Sequence, residues 1–186
     1  GDAKAISKIS NITNNLDKVK EFENKADKIK KELQKRLWNK DLDFFTVLPK
    51  KYEETTKAID IRELIGYVPW YFNLPDDNKK FALAWKKIKD STGFAAPLGL
   101  TVTEQSHPFF KISYQGHECQ WNGPSWPFAT SQTLKAMANF LTNYSNNKTV
   151  SKNNYYNILL QYAKQHKIKN DKGETLNWID ENFNPF

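Results

Sequence analysis

The stretch Gly116-His117-Glu118-Cys119-Gln120-Trp121-Asn122-Gly123-Pro124-Ser125-Trp126-Pro127 gathers a carboxylate, an imidazole, two carboxamides and two indoles between glycines and prolines. Such a run must be a loop ending at a helix start, where outward-pointing backbone N–H groups favour polar ligands. Cleavage of a glycosidic bond needs two carboxyl groups flanking the sugar, one to protonate the leaving oxygen and one to activate water or attack the anomeric carbon. It also needs flat apolar surfaces for the sugar faces. Six tryptophans (Trp38, Trp70, Trp85, Trp121, Trp126, Trp178) and eight tyrosines offer such surfaces. A plainer assignment competes at each position. Aromatics fill cores, Gly-Pro-Ser-Trp-Pro is a rigid turn in which Asn122 caps the next helix, and Glu118 is either a ligand of a sugar hydroxyl or a structural hydrogen-bonding partner. His107 and His117 are hydroxyl ligands or packed rings, while His166, at a lysine-rich helix end, faces solvent and suits the helix dipole.

The elements that position these residues read as helices joined by long loops. From Ala3 to Leu37 the chain lacks proline, and Ile6, Ile9, Ile12, Leu16, Val19, Phe22, Ala26, Ile29, Leu33 and Leu37 recur at three- and four-residue steps. That spacing predicts an amphipathic helix with a break near Asn14-Asn15. Trp38 to Phe45 reads as a small hairpin. Asp60 is placed to cap a helix from Ile61 towards Trp70, and Pro75-Asp76-Asp77 to open another carrying Phe81, Ala84, Trp85 and Ile88. Between Asp90 and Gly123 the glycines and prolines exclude a long helix and leave loop with short strands. Pro124 marks the first turn of a helix running to about Tyr144, Ser151 begins a further helix, and Lys167 to Gly173 is a polar turn. Absence of βαβ alternation makes the chain all-α.

With 186 residues, 39% hydrophobic and 26% charged, the chain has the size of one domain and no apolar run approaching the ~20 residues of a membrane span. Cys119 is the only cysteine, which excludes an internal disulfide and a multi-cysteine zinc site, and it is expected to be a buried small apolar residue. The net charge of +7 invites a nucleic-acid assignment. Interleaving of the lysines with Asp17, Glu21, Glu23, Asp27 and Glu32 at helical spacing argues instead for solvated helix faces. Asp41 and Asp43 are too few oxygen ligands for a calcium loop, so neither metal nor cofactor is expected. The sequence start carries no secretory signal, leaving the compartment, periplasmic and secreted included, undecided.

Gln120-Trp121-Asn122-Gly123-Pro124-Ser125-Trp126-Pro127 resembles the Trp-x-Gly-Pro-x-Trp motif of the (α/α)6-toroid, or six-hairpin, glycosidases related to glycoside hydrolase family 63. These include processing α-glucosidases and mannosylglycerate-hydrolase-like enzymes. Leu37-Trp38-Asn39, Asp43-Phe44-Phe45, Ile65-Gly66-Tyr67-Val68-Pro69-Trp70, Glu104-Gln105-Ser106-His107-Pro108 and Trp178-Ile179-Asp180-Glu181-Asn182-Phe183-Asn184-Pro185 resemble the same family in the same order. The resemblance implies an incomplete (α/α)6 toroid of helix hairpins with long aromatic loops, residues 1–186 being the carboxyl-terminal portion of a glycosidase catalytic domain. It implies inverting hydrolysis of α-linked glucosides or related glycans, with Glu181 deprotonating the attacking water. Trp70, His117, Glu118, Gln120, Trp121, Asn122, Gly123, Trp126 and Trp178 are the candidate substrate-binding residues. In the family the general acid is an aspartate in the earlier half of the toroid, and no segment here matches it. The expectation is a fragment inactive alone, the alternative a non-catalytic carbohydrate-binding module. Either takes a carbohydrate partner, without nucleic acid and without membrane insertion. A part-toroid is also expected to expose helix faces that would otherwise meet neighbours.

Overall fold

In the computed structural model, which describes residues 1–53, 55–112 and 119–186, the first long element breaks where its asparagines stand. Asn14 has φ 57°, a left-handed conformation that asparagine tolerates better than most side chains, and it separates α1 (Asp2–Ile12) from α2 (Leu16–Arg36). The side chain of Asn15 accepts a hydrogen bond from the Lys18 backbone N–H at 3.2 Å and caps α2. The two helices fold back as a hairpin, with the small residues Ser7, Ser10 and Ala26 buried. Only part of the apolar stripe is covered. Leu33 and Leu37 pack against the core, whereas Ile9, Ile12, Leu16 and Ile29 are exposed, because no described element lies on that side of the hairpin.

The expected hairpin follows as β1 (Trp38–Asn39) paired antiparallel with β2 (Phe44–Phe45). Asp43 turns it with φ 48°. The helix predicted from Ile61 to Trp70 is shorter and starts later. A 3-10 turn, Leu64–Tyr67, leads into α3 (Val68–Tyr71), and Asp60 accepts from the Asn39 side chain rather than capping. The cause is tertiary: Glu63 pairs antiparallel with Thr103, which holds residues 62–64 extended. Gly66 permits the close approach of this turn to β2, since a Cβ there would lie 2.2 Å from the Phe45 carbonyl oxygen. The next helix opens at Asn78, not at Pro75, as α4 (Lys79–Ala82), and continues as a 3-10 turn, Leu83–Lys89. A second hairpin joins β3 (Ala95–Ala96) to β4 (Gly99–Leu100).

The long helix α5 (Pro127–Asn143) begins three residues beyond Pro124 with Trp126 as N-cap, because Ser125 is engaged in a backbone bridge to Phe183. Ser151 starts α6 (Lys152–Gln165) as expected, through reciprocal bonds between Ser151 and Asn154. The polar turn expected over residues 167–173 is the centre of an exposed hairpin, β5 (Lys167–Lys169) with β6 (Thr175–Asn177). Cys119 is exposed rather than buried, lying in the loop and not on a core face. The architecture is all-α, helical hairpins of the (α/α) toroid-like kind, with three minute two-stranded hairpins among the described residues, the last of them following α6. Among the described residues no helix is long and apolar enough to cross a membrane, and no group of three or more His, Cys, Asp or Glu could hold a metal ion.

The core is an aromatic cluster. Trp85 stacks on Phe140 of α5 at 5.0 Å, Tyr67 lies 4.4 Å from Trp85, and Phe45 stacks on Phe81 at 5.4 Å. Trp70 is wholly buried there, edge-on to Trp85 and Phe45. Two polar links lock the hairpins above this core. The Asn139 side chain donates to the carbonyls of Trp70 and Tyr71 at 3.1 and 2.8 Å, satisfying the end of α3. The Asp77 carboxylate accepts from the backbone N–H groups of Ser145 and Asn146 at 2.7 and 3.0 Å. These bonds from Asn146 and Ser145 hold the Asp77 carboxyl down from 3.8 to about 2. A depressed carboxyl stabilises the fold above its unfolded value and ceases to do so as pH falls through its folded value. Asp77→Asn should therefore lower Tm at pH 6, with the gap from the parent closing as the pH approaches 2, a series that scanning calorimetry can follow.

Candidate active site

Four extended segments lie side by side and carry the candidate residues. Glu63 pairs with Thr103; the Leu64 N–H donates to the Val102 carbonyl at 2.8 Å; the Val102 N–H donates to the Pro124 carbonyl at 3.3 Å; Ser125 and Phe183 exchange bonds of 2.9 and 2.8 Å. The order across the ribbon is thus residues 62–64, 102–104, 122–125 and 183. Arg62 and Glu104 fasten its first two members. The guanidinium meets the Glu104 carboxylate at 2.5 Å, and both side chains are largely buried. The other carboxylate oxygen accepts from the Arg62 backbone N–H at 3.1 Å, while Nε and Nη2 of Arg62 donate to the Leu42 carbonyl at 3.0 and 2.8 Å. Removing one member of a buried pair leaves the other charge uncompensated. Arg62→Met should cost about 3–5 kcal/mol in urea unfolding, and Arg62→Met with Glu104→Met should recover most of that loss.

Trp121 and Trp126 stack with ring centroids 3.8 Å apart and planes 16° from parallel. Trp126 is the inner ring, buried, its Nε1–H donating to the Gln120 carbonyl at 2.6 Å. Trp121 is the outer ring, 46% exposed, with its carbonyl accepting from the Thr103 hydroxyl at 3.3 Å. Asn122 does not cap α5; its side chain donates to the Phe109 carbonyl at 2.8 Å, and its own carbonyl accepts from the Lys111 N–H at 3.0 Å. Gly123 makes that approach feasible, since a Cβ would sit 2.0 Å from the Lys111 carbonyl oxygen, a rigid backbone atom. Gly123→Ala should destabilise the protein by about 1–3 kcal/mol, read as a lower denaturant midpoint.

Trp178 and Glu181 lie in the chain's last segment, which meets this loop at Phe183. Trp178 is 45% exposed and tied by its N–H to the His166 carbonyl at 2.8 Å. Asp180 accepts from Trp178 Nε1 at 3.2 Å and from the Glu181 N–H at 2.7 Å, forming a tight turn. Two residues on, Phe183 is bridged to Ser125 and lies edge-on to His166, so the exposed Glu181 is held beside the Trp121–Trp126 loop. Trp70 stands apart: it offers no accessible face and serves the core, so its placement among substrate contacts is corrected. His117 and Glu118 lie outside the described residues. His107 accepts from the Phe109 N–H through Nδ1 at 3.1 Å and packs on that ring.

Beside Trp121 opens a cleft of about 260 Å³ lined by Glu63, Ile65, Val102, Trp121, Phe128 and Gln132. Glu63 is half-buried, and burial pushes its carboxyl above the usual carboxylate value, opposed in part by His107. Sequence reasoning misses Glu63. It stands outside the quoted motifs, which resume at Ile65, and only the extended backbone, which sends neighbouring side chains to opposite faces, separates it from Arg62.

The family model of the "Mannosylglycerate hydrolase MGH1-like glycoside hydrolase domain" matches residues 1–186. This chain belongs to that family. The MGH1-like domain is therefore of glycoside-hydrolase type, in line with the toroid resemblance read from its motifs. A solved structure named "Sialidase" superposes on it with a TM-score of 0.86 and 36% sequence identity, covering 98% of this chain and 16% of that one. The MGH1-like domain thus spans about one sixth of that molecule, and the name describes the whole of it. No curated protein sequence matches the chain.

Proposed function

We propose that the MGH1-like domain supplies the water-activating half of an inverting glycosidase acting on α-linked glucosides or related glycans, with Glu181 as general base. The observation that carries this is the Ser125–Phe183 bridge, which sets the Glu181 turn against the loop bearing the stacked indoles. Glu181 and Trp121 are both exposed, which suits a carboxylate that takes a proton from water and a ring that carries a sugar. In this reading Trp121 and Trp178 contact sugar faces, while Trp126, Gln120, Asn122 and Gly123 hold the loop. The general acid is assigned to another segment of the parent protein, ~6.5–9.5 Å from Glu181 across the scissile bond, and residues 1–186 alone are expected to be inactive.

The test is hydrolysis of α-glucosides, α-mannosides and α-galactosides by the complete parent protein and its Glu181→Gln variant. Loss of a general base lowers kcat by roughly 10²- to 10⁴-fold, and the anomer first released, read by NMR, should be inverted relative to substrate. Turnover indifferent to Glu181 removes the base assignment. Sugar binding without turnover on any substrate leaves a carbohydrate-binding module in its place.

A further inference from the structure

Glu63 lines the cleft beside Trp121 and takes no part in the hydrogen bonds of the Arg62–Glu104 pair. Its neighbour Arg62 is consumed on the opposite face by Glu104 and Leu42. Among the described residues neither the Glu63 carboxyl nor the side-chain amide of Gln132, which lines the same cleft, has a hydrogen-bond partner, and His107 is the charged group that acts on Glu63. Around them Ile65, Phe128 and Trp121 form apolar walls that are 55%, 63% and 46% exposed. A half-buried carboxyl facing such walls loses much of its hydration, a deficit that an arriving hydroxyl donor makes good.

The cleft is just below the ~300 Å³ at which sites for drug-sized ligands begin, so it suits one sugar ring rather than a chain. Its aromatic wall and the two polar side chains in its lining match a pyranose, which has apolar C–H faces and an equatorial rim of hydroxyls. Across the ribbon, Glu63 stands three strand spacings from Phe183, ~14 Å in backbone terms at about 4.8 Å per step. Glu63 lines the cleft and no residue of the segment carrying Glu181 does, so Glu63 is read as a contact to a sugar hydroxyl rather than as the second carboxylate of a catalytic pair.

We propose that the Glu63–Trp121–Phe128–Gln132 cleft is a sugar subsite in which Glu63 hydrogen-bonds a hydroxyl of a neutral pyranose stacked on Trp121, making Glu63 a specificity-determining residue. The proposal rests on the glycosidase reading of the site and names its substrate class: neutral hexose units rather than acidic sugars, whose carboxylates would meet the Glu63 carboxylate.

The experiment measures binding to the complete parent protein of methyl α-D-glucopyranoside, methyl α-D-mannopyranoside and methyl α-D-glucuronoside, by calorimetry or ligand-observed NMR. The variants are Glu63→Ala, Glu63→Gln, Trp121→Ala and Glu181→Gln, each with a Tm. Expected is saturable binding of at least one neutral probe. Glu63→Ala and Trp121→Ala should weaken it roughly 10- to 100-fold, with Glu63→Gln in between. Glu63→Ala should leave Tm unchanged or raised, because it removes a half-buried carboxyl that has no hydrogen-bond partner among the described residues. Glu63→Ala should also improve glucuronoside binding relative to the neutral probes.

Unchanged affinity in Glu63→Ala overturns the proposal. So does a loss of affinity that tracks a fall in Tm, or the absence of binding by any neutral probe. Glu181→Gln separates the two readings. If it binds sugars normally but no parent turnover depends on Glu181, the base assignment fails while a Glu63-dependent subsite stands. If turnover depends on Glu181 and Glu63→Ala changes neither KM nor affinity, the subsite fails while the glycosidase reading stands.

Discussion

The guanidinium of Arg62 is divided between the Glu104 carboxylate and the Leu42 carbonyl, so three distant parts of the chain meet on one buried charge. Leu42 lies in the turn between β1 and β2, Arg62 leads into the turn before α3, and Glu104 ends the segment that hydrogen-bonds the aromatic loop. Burying two charges has a large desolvation cost, and mutual attraction offsets it only when the remaining donors and acceptors are also filled. Here both carboxylate oxygens of Glu104 are engaged, one by the guanidinium and one by a backbone N–H. The pair is consequently more a device of register than of stability. It fixes which face of residues 62–64 turns inward, and with that it sends Glu63 to the cleft.

The aromatic core and the site form a continuous layer. Phe44, Phe45, Tyr67, Trp70, Trp85 and Phe140 fill the space under the short helices, and Asn139 and Asp77 close the polar ends above them. Short helices of four residues are not stable alone, and these persist because each rests on that cluster. The result is a firm floor from which the ribbon of extended segments projects its loops.

Features governed by local chemistry are legible in the sequence. Asn14-Asn15 breaks the first helix, Ser151 caps the last, and the toroid motifs lead to the family. What is not legible depends on partners remote in sequence. Asp60 and Pro124 have the residue types of helix starts, but the Glu63–Thr103 and Ser125–Phe183 bridges keep those stretches extended. Trp70 and Trp121 both stand in aromatic motifs beside proline or glycine, and no local signal separates the buried ring from the exposed one. Glu63 is hidden for the same reason, since its place in the cleft arises from Arg62 being occupied elsewhere.

The stacked pair Trp121–Trp126 has a thermodynamic implication. With Trp126 fixed by its Nε1 bond to Gln120 and one face of Trp121 covered by it, the outer indole has surrendered most of its rotational freedom on folding. A ligand arriving on its open face therefore meets a surface whose ordering entropy was spent during folding, so little of the contact energy is lost to immobilising the side chain. Under the proposed glycosidase reading, the weak contacts that sugars make would then suffice for a defined orientation.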